Sequence, residues 1–397
     1  MSTRLINLSS DLRQLKDGGY DVEIRSGYLL VKNVPYVTSQ RTVLLGVLVT
    51  PLTLAGDVTT RPADHTMKFV GEYPCRADGS PIESIRNASS QETLLPGLVI
   101  NHTFSNKPPN GYKDFYEKIT MYVNILSGPA EALNPGATAK VNRFIDSVDE
   151  KSVFKYEDTA SSNAGIVVVN QQLESERIAV IGLGGCGSYV LDLVAKTPIK
   201  EIHIFDGDLF LQHNAFRSPG AASSEELRAI PTKVEYYHQL YSKMRRGIVP
   251  HDYCVDPSNV HELRDMEFVF LCLDRGQAKS EIVQELLERD IPFVDVGMDV
   301  TLNGTMLAGM VRVTSSTSQK HDHINQSVPF TDADPNEDYS KNIQIADLNA
   351  LSAALAVIKW KKIYGFYRDL VQEHLCLYTI GVNTLINDEH YEPPASH

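Results

Sequence analysis

The chain has 397 residues, 42% of them hydrophobic and 22% charged, with a formal net charge of −13. That length supports about two or three domains with ample core, and the acidic balance argues against nucleic acid or an anionic membrane as a general partner. No apolar run is long enough for a membrane span, the first residues lack a signal-peptide core, and five scattered cysteines fit a reducing, cytoplasmic setting rather than a disulfide framework.

Residues 1–130 are expected to form a smaller α+β domain. Segments 28–31, 43–49 and 94–100 read as strands. Segment 111–126 reads as a helix with Phe115, Ile119, Tyr122 and Leu126 along one face, a spacing that serves core packing. His65, Cys75 and His102 are too scattered to suggest a metal site. Nothing in this region names a chemistry, so a docking role toward a partner is the expectation. Residues 131–165 are mixed and polar, with Pro135 and Gly136 early and a serine- and glycine-containing stretch late, and read as a connector.

From residue 166 the pattern changes. Residues 178–181 form an unbroken apolar run, as expected of a parallel strand covered on both faces. Gly182, Gly184 and Gly187 then follow at G-x-G-x-x-G spacing, with Gly185 between them. Such glycines permit a tight turn, close approach of backbone to phosphate, and close strand–helix packing. A helix over 188–196, with Val190, Leu191 and Val194 on one face, would offer its amino end to an anion. A second apolar strand, 202–205, ends in Asp206, where such folds bind ribose hydroxyls, and Asp208 follows.

The next residues add groups that a plain dinucleotide site does not need. Asn214, Arg217 and Lys233 supply polar and cationic side chains after the second strand. A third apolar run, 268–273, delivers Asp274 at its carboxyl end, where open α/β sheets place their ligands. Transfer of an adenylyl group requires a triphosphate to be neutralised and charge at phosphorus to be steadied as pyrophosphate leaves, which calls for cations and a carboxylate-held Mg²⁺.

In this order and spacing the residues resemble the ThiF/MoeB/HesA-like adenylyltransferase domain, shared by ubiquitin-activating enzymes and by bacterial relatives in thiamin and molybdopterin biosynthesis. The resemblance covers roughly residues 165–385. It implies a Rossmann-like, mostly parallel sheet with an antiparallel extension. It implies that Asp206 binds ribose, that the glycine loop with Asn214, Arg217 and Lys233 binds the phosphates of ATP, and that Asp274 holds Mg²⁺, with Asp208 as the family's second acid. Arg217, Lys233 and Asp274 are the residues expected to carry catalysis. The implied partner is a ubiquitin-like or sulfur-carrier-like small protein whose carboxyl terminus is adenylated, and the implied assembly is a homodimer. An extra amino-terminal domain of diffuse likeness occurs before such domains in bacterial ubiquitin-like operons.

Several features depart from the family. No cysteine lies between Cys272 and Cys376, so the loop over 315–342 lacks the usual acceptor thiol. Paired C-x-x-C motifs of a structural zinc site are absent. An arginine-rich segment ahead of the glycine strand is missing; Phe154, Lys155 and Tyr156 are the nearest candidate. Arg275 and Lys279 stand where relatives often carry Asn and Arg. Two other readings therefore stay open: a catalytically weak nucleotide-binding scaffold of a ubiquitin-like pathway, and an NAD-dependent oxidoreductase, which has no use for Asn214, Arg217 and Lys233.

The remaining elements close the domain. Residues 292–296 read as a buried strand and 306–314 as an antiparallel addition. A helix over 342–362 turns Ile345, Leu348, Leu351, Leu355 and Ile358 inward. Its Ala350, Ala353 and Ala354 permit close helix approach, either at a dimer interface or inside the monomer. His321 and His323 lie in a polar stretch and read as a solvated loop. Cys376 precedes a run that reads as a strand.

Overall fold

The computed structural model describes residues 5–6, 8–142, 152–156, 158, 160–161, 166–273, 276–330 and 343–390. The chain divides into two compact units, one of residues 1–145 with 159–166, the other of residues 146–158 with 167–397.

The first unit is an antiparallel sheet carrying helices. After α1 (Ser10–Asp17) come β1 (Asp21–Arg25), β2 (Tyr28–Val37), β3 (Val43–Pro51), β4 (Thr66–Val70), β5 (Arg86–Leu95) and β6 (Leu98–Ser105). They pair in the order β1-β2-β3-β4-β6-β5. The single strand expected over 94–100 is in fact two, because Pro96 and Gly97 turn the chain between β5 and β6. Helix α2 (Phe115–Leu133) begins later than the apolar pattern suggested. Asp114 takes the cap position and accepts the Glu117 N–H at 2.8 Å, which fixes the first turn. Phe115, Ile119, Tyr122 and Leu126 are all fully buried, the helical stripe that packs on the sheet. Lys118 is buried among them because its ammonium finds Thr50 Oγ1 at 2.8 Å and the Asp64 carbonyl at 3.1 Å.

The second unit is a doubly wound α/β domain. Its strands are β7 (Arg177–Ile181), β8 (Glu201–Phe205), β9 (Ile248–His251), β10 (Phe268–Leu271), β11 (Phe293–Asn303), β12 (Met306–Ser316), β13 (Glu373–Thr379) and β14 (Thr384–His390). They lie in the order β9-β8-β7-β10-β11-β12-β13-β14, parallel from β9 to β11 and antiparallel from there to β14. The chain winds outward from β7 through β8 to β9, then returns to place β10 on the other side of β7. That reversal opens a crevice at the carboxyl ends of β7 and β10, the position where open α/β sheets take ligands.

Alternation along β7 sends side chains to both faces. Ile178 and Val180 join a core with α3 (Gly185–Val194), α4 (Lys233–Tyr241) and α6 (Ala346–Ile363), through Val190, Tyr237, Ala356 and Trp360. Ala179 and Ile181 join the opposite core, where α5 (Gln277–Glu288) contributes Ile282 and Leu286. Burial on both faces is why these strands read as continuous apolar runs. Among the described residues, no helix is long and apolar enough to cross a membrane.

Two polar features hold this unit together. Arg245 is fully buried, and its guanidinium caps the carbonyls beyond α3, at Thr197 (3.1 Å) and at Ile199. Burial lowers its pKa to about 10. Phe154 bridges to Arg245 and lies 6.0 Å from its guanidinium, so this part of the expected arginine-segment substitute packs over a structural cation. His374, His203 and His251 are held neutral mainly by burial, His374 at a pKa of about 4.

The histidines set a pH dependence. A group whose folded pKa lies below its unfolded value contributes stability above the unfolded value, near 6.5; that contribution is lost as the pH falls, because the unfolded chain takes up the protons first. His374 alone is expected to cost about 2 kcal/mol between pH 8 and pH 5. Urea unfolding at the two pH values checks this, and His374→Asn is expected to flatten the difference. Equal stability of wild type at pH 8 and pH 5 would contradict it.

Candidate active site

The crevice begins where β7 ends. Gly182 has a φ of +86°, the left-handed region that side chains avoid. Its N–H reaches the Phe205 carbonyl at 2.8 Å, and Cys272 N–H reaches the Ile181 carbonyl at 2.8 Å, so the turn is tied to both neighbouring strand ends. A Cβ on Gly187 would lie 1.8 Å from the Gly182 carbonyl oxygen and 3.0 Å from Cys272 Cβ, so the loop closes only without it. Gly184 differs: a Cβ there would meet nothing within 4 Å. The space above it is open, directly at the amino cap of α3, where unpaired N–H groups and the helix dipole favour an anion.

Asp206 is 7% exposed and holds this loop. Its Oδ2 accepts the Leu183 N–H at 2.7 Å and its Oδ1 the Asp208 N–H at 2.9 Å. Lys233 opens α4, is 6% exposed, and places Nζ 3.2 Å from both Asp206 oxygens and 2.7 Å from Asp208 Oδ2. The side chain of Thr232 caps that helix and Glu235 returns the bond to the Thr232 N–H, which fixes where Lys233 starts. Asp208 remains largely exposed at the mouth.

The segment after β8 brings a second cation. Asn214 is buried, and its Oδ1 accepts the Leu211 N–H at 2.8 Å. Its carbonyl accepts the Arg217 N–H at 3.1 Å and the Ser218 hydroxyl at 2.8 Å. Tyr237 of α4 is buried behind this segment, and burial raises its pKa to about 12. Arg217 Nε is buried and finds no hydrogen-bond acceptor among the described residues.

The structure thus brings together the glycine loop, Asp206, Asp208 and Lys233 by direct bonds, and joins Asn214 to Arg217. Asp274, with Arg275, lies outside the described residues. The chain just before it is held from α5: Lys279 Nζ lies 3.3 Å from the Leu273 carbonyl. Lys279 also approaches Asp295 Oδ1 to 2.5 Å, an ion pair by distance though not aligned as a hydrogen bond. Arg312 completes this buried group with 2.7 Å to Asp295 Oδ2 and 2.6 Å to Thr314 Oγ1. Asp295 and Arg312 carry no signal in the sequence, since each sits in an ordinary strand pattern and only the β11–β12 register, with Asp295 opposite Thr314 and Gly297 opposite Arg312, makes them diagonal neighbours. Among the described residues no group of His, Cys, Asp and Glu suits a metal ion; His323 is buried rather than solvated.

A parallel sheet with a glycine turn at its switch point, an open helix amino end and two cations defines a nucleotide-binding α/β domain for an anionic, phosphate-bearing ligand. The chain belongs to the ThiF family, which matches residues 160–360; residues 10–159 match a domain of unknown function, DUF6791. This membership supports an adenylyltransferase-type enzyme. Among curated proteins none matches the chain. Among solved structures it is similar to Escherichia coli MccB with MccA-N7isoASN, at 14% identity over 60% of this chain and 71% of that one, TM-score 0.46. MccB with ATP gives 14% identity, 60% and 71% coverage and a TM-score of 0.45. Selenomethionine PaaA gives 16%, 56% and 75%, and 0.42. The functional reading rests on family membership and site geometry, not on likenesses of this size.

Proposed function

We propose that this domain adenylates the carboxyl terminus of a small, ubiquitin-like or sulfur-carrier-like protein, using ATP and Mg²⁺. One observation carries the reading: the open space over Gly184 at the start of α3 lies in a domain whose loop also seats Lys233 and whose Arg217 Nε is buried without an acceptor. An unpaired buried guanidinium nitrogen costs free energy unless a ligand oxygen completes it, and a phosphate chain supplies such oxygens.

In this reading the substrate carboxylate oxygen bonds to the α-phosphorus of ATP while the bond to the bridging oxygen breaks and pyrophosphate leaves. The α3 amino end and Arg217 orient the phosphates. Lys233 offsets charge on them as it builds, and Asp206 keeps the loop and the lysine in register. Oxygen donors suit Mg²⁺: Asp208 presents an exposed carboxylate at the mouth, and Asp274 is assigned the principal metal contact. Mg²⁺ would neutralise the leaving pyrophosphate. Positioning and charge compensation then account for the catalysis.

The same reading includes a homodimer through this domain, a docking role for the first unit, and release of the acyl-adenylate to another protein or nucleophile. Burial raises the Cys376 thiol to about 11. The Cys272 thiol is also raised, first by the neighbouring Cys186 thiol and then by burial. Thiols so shifted are poor nucleophiles at neutral pH.

The test is ATP–pyrophosphate exchange stimulated by the cognate small protein. Asp274→Ala is expected to lower it by roughly a hundredfold or more while circular dichroism and unfolding stay as in wild type. Full exchange by a well-folded Asp274→Ala protein would remove this residue from the mechanism.

A further inference from the structure

The phosphate cradle has a third support, from the late helix. Asn349 lies on α6 and is 1% exposed. Its Nδ2 donates to the backbone carbonyl of Arg217 at 3.2 Å. The same amide lies against the first residue of α3: a Cβ built on Gly185 would stand 2.0 Å from Nδ2, 2.5 Å from Cγ and 2.8 Å from Oδ1. One side chain therefore touches both the helix start and the segment bearing Arg217.

Small residues make this approach possible. Ser352, Ala353 and Ala356 follow on α6 and are buried, which lets two helices pack closely. An amide is a poor choice for such a seam on helix propensity and desolvation alone. It is satisfied here because an Arg217 carbonyl outside any helix ladder faces it. The contact fixes the backbone of Arg217, while the Nε of the same residue is buried and without an acceptor.

We infer that Asn349 is a positioning residue for phosphate binding: it sets the separation between the α3 amino end and Arg217, so that both converge on one phosphate chain. The inference rests on the nucleotide reading above. Asn349 need not touch the nucleotide. Its effect falls on groups that hold phosphate, not on groups that hold the nucleoside.

Calorimetry with two probes, Mg·ATP and adenosine, tests this on the full-length protein under conditions where every variant is folded. Asn349→Ala is expected to weaken Mg·ATP tenfold or more and to leave adenosine within twofold. Asn349→Ala also opens a hole beside Gly185, so Asn349→Val refills it from the same position with a side chain that cannot donate to the Arg217 carbonyl. That variant is expected to recover urea stability relative to Asn349→Ala while Mg·ATP stays weak, which a packing role alone would not produce. Mg·ATP binding within twofold of wild type in either variant, or parallel weakening of Mg·ATP and adenosine, would overturn the inference. Wild type that binds adenosine and Mg·ATP equally would overturn the nucleotide reading itself, and the assignment of Asn349 with it.

Discussion

Lys233→Ala is expected to lower ATP–pyrophosphate exchange by roughly a hundredfold or more and to weaken Mg·ATP in the same protein. The size follows from removing one preorganised charge-stabilising contact, typically about 2.7–4 kcal/mol in a barrier. The change has a structural side as well. Asp206 is buried and would lose its only salt-bridge partner among the described residues, Lys233. Breaking a buried pair from one side costs about 3–5 kcal/mol where nothing compensates. Here the Leu183 and Asp208 N–H groups stay on the carboxylate, so the loss of stability is expected to fall below that range. Exchange is therefore to be read beside urea unfolding. A destabilised Lys233→Ala protein with undiminished exchange would show the lysine to be structural.

Gly187→Ala is expected to abolish nucleotide binding. The added Cβ would stand 1.8 Å from the Gly182 carbonyl oxygen. That obstacle is backbone and has no rotamer to yield, so the loop and the start of α3 must separate. Overpacking in a tight site costs about 1–3 kcal/mol, and the displaced groups are the ones assigned to phosphate. Gly184→Ala is the contrasting case. Its Cβ meets no protein atom within 4 Å, so urea stability is expected to match wild type, while Mg·ATP weakens because the methyl group occupies the ligand's space. Normal Mg·ATP binding by both variants would place the phosphates elsewhere.

The parts of the fold legible in the sequence are those fixed by local chemistry. Strand β7 is a short apolar run because both faces are covered, and the glycine that follows must adopt a positive φ. Both facts belong to neighbouring residues and survive without tertiary information. The expected strand over 94–100 failed for an equally local reason: apolar character continued across Pro96 and Gly97, and the turn signal was the stronger one.

Long-range contacts were the harder part. Asp206 carries the ribose expectation; its contacts within the chain, to the Leu183 and Asp208 N–H groups and to Lys233, are not legible in the spacing. A carboxylate's partners depend on loop geometry, which spacing does not encode. Asn349 left a faint signal, a polar residue beside Leu348 in the inward phase of a helix, but its two contacts lie on segments more than 130 residues earlier in the chain. Arg312 and Asp295 become neighbours only through strand register. Ile358 was placed inward by periodicity and is 41% exposed, while Trp360 is fully buried, so the helix turns a different stripe to the sheet than leucine spacing alone indicated.

Calorimetric titration of wild type and Lys233→Ala with Mg·ATP and with NAD tests the central claim most directly. An adenylation site predicts tighter binding of Mg·ATP than of NAD by wild type, and loss of that preference in Lys233→Ala, because the lysine acts on the phosphate chain. Tighter binding of NAD, unchanged by Lys233→Ala, would contradict it.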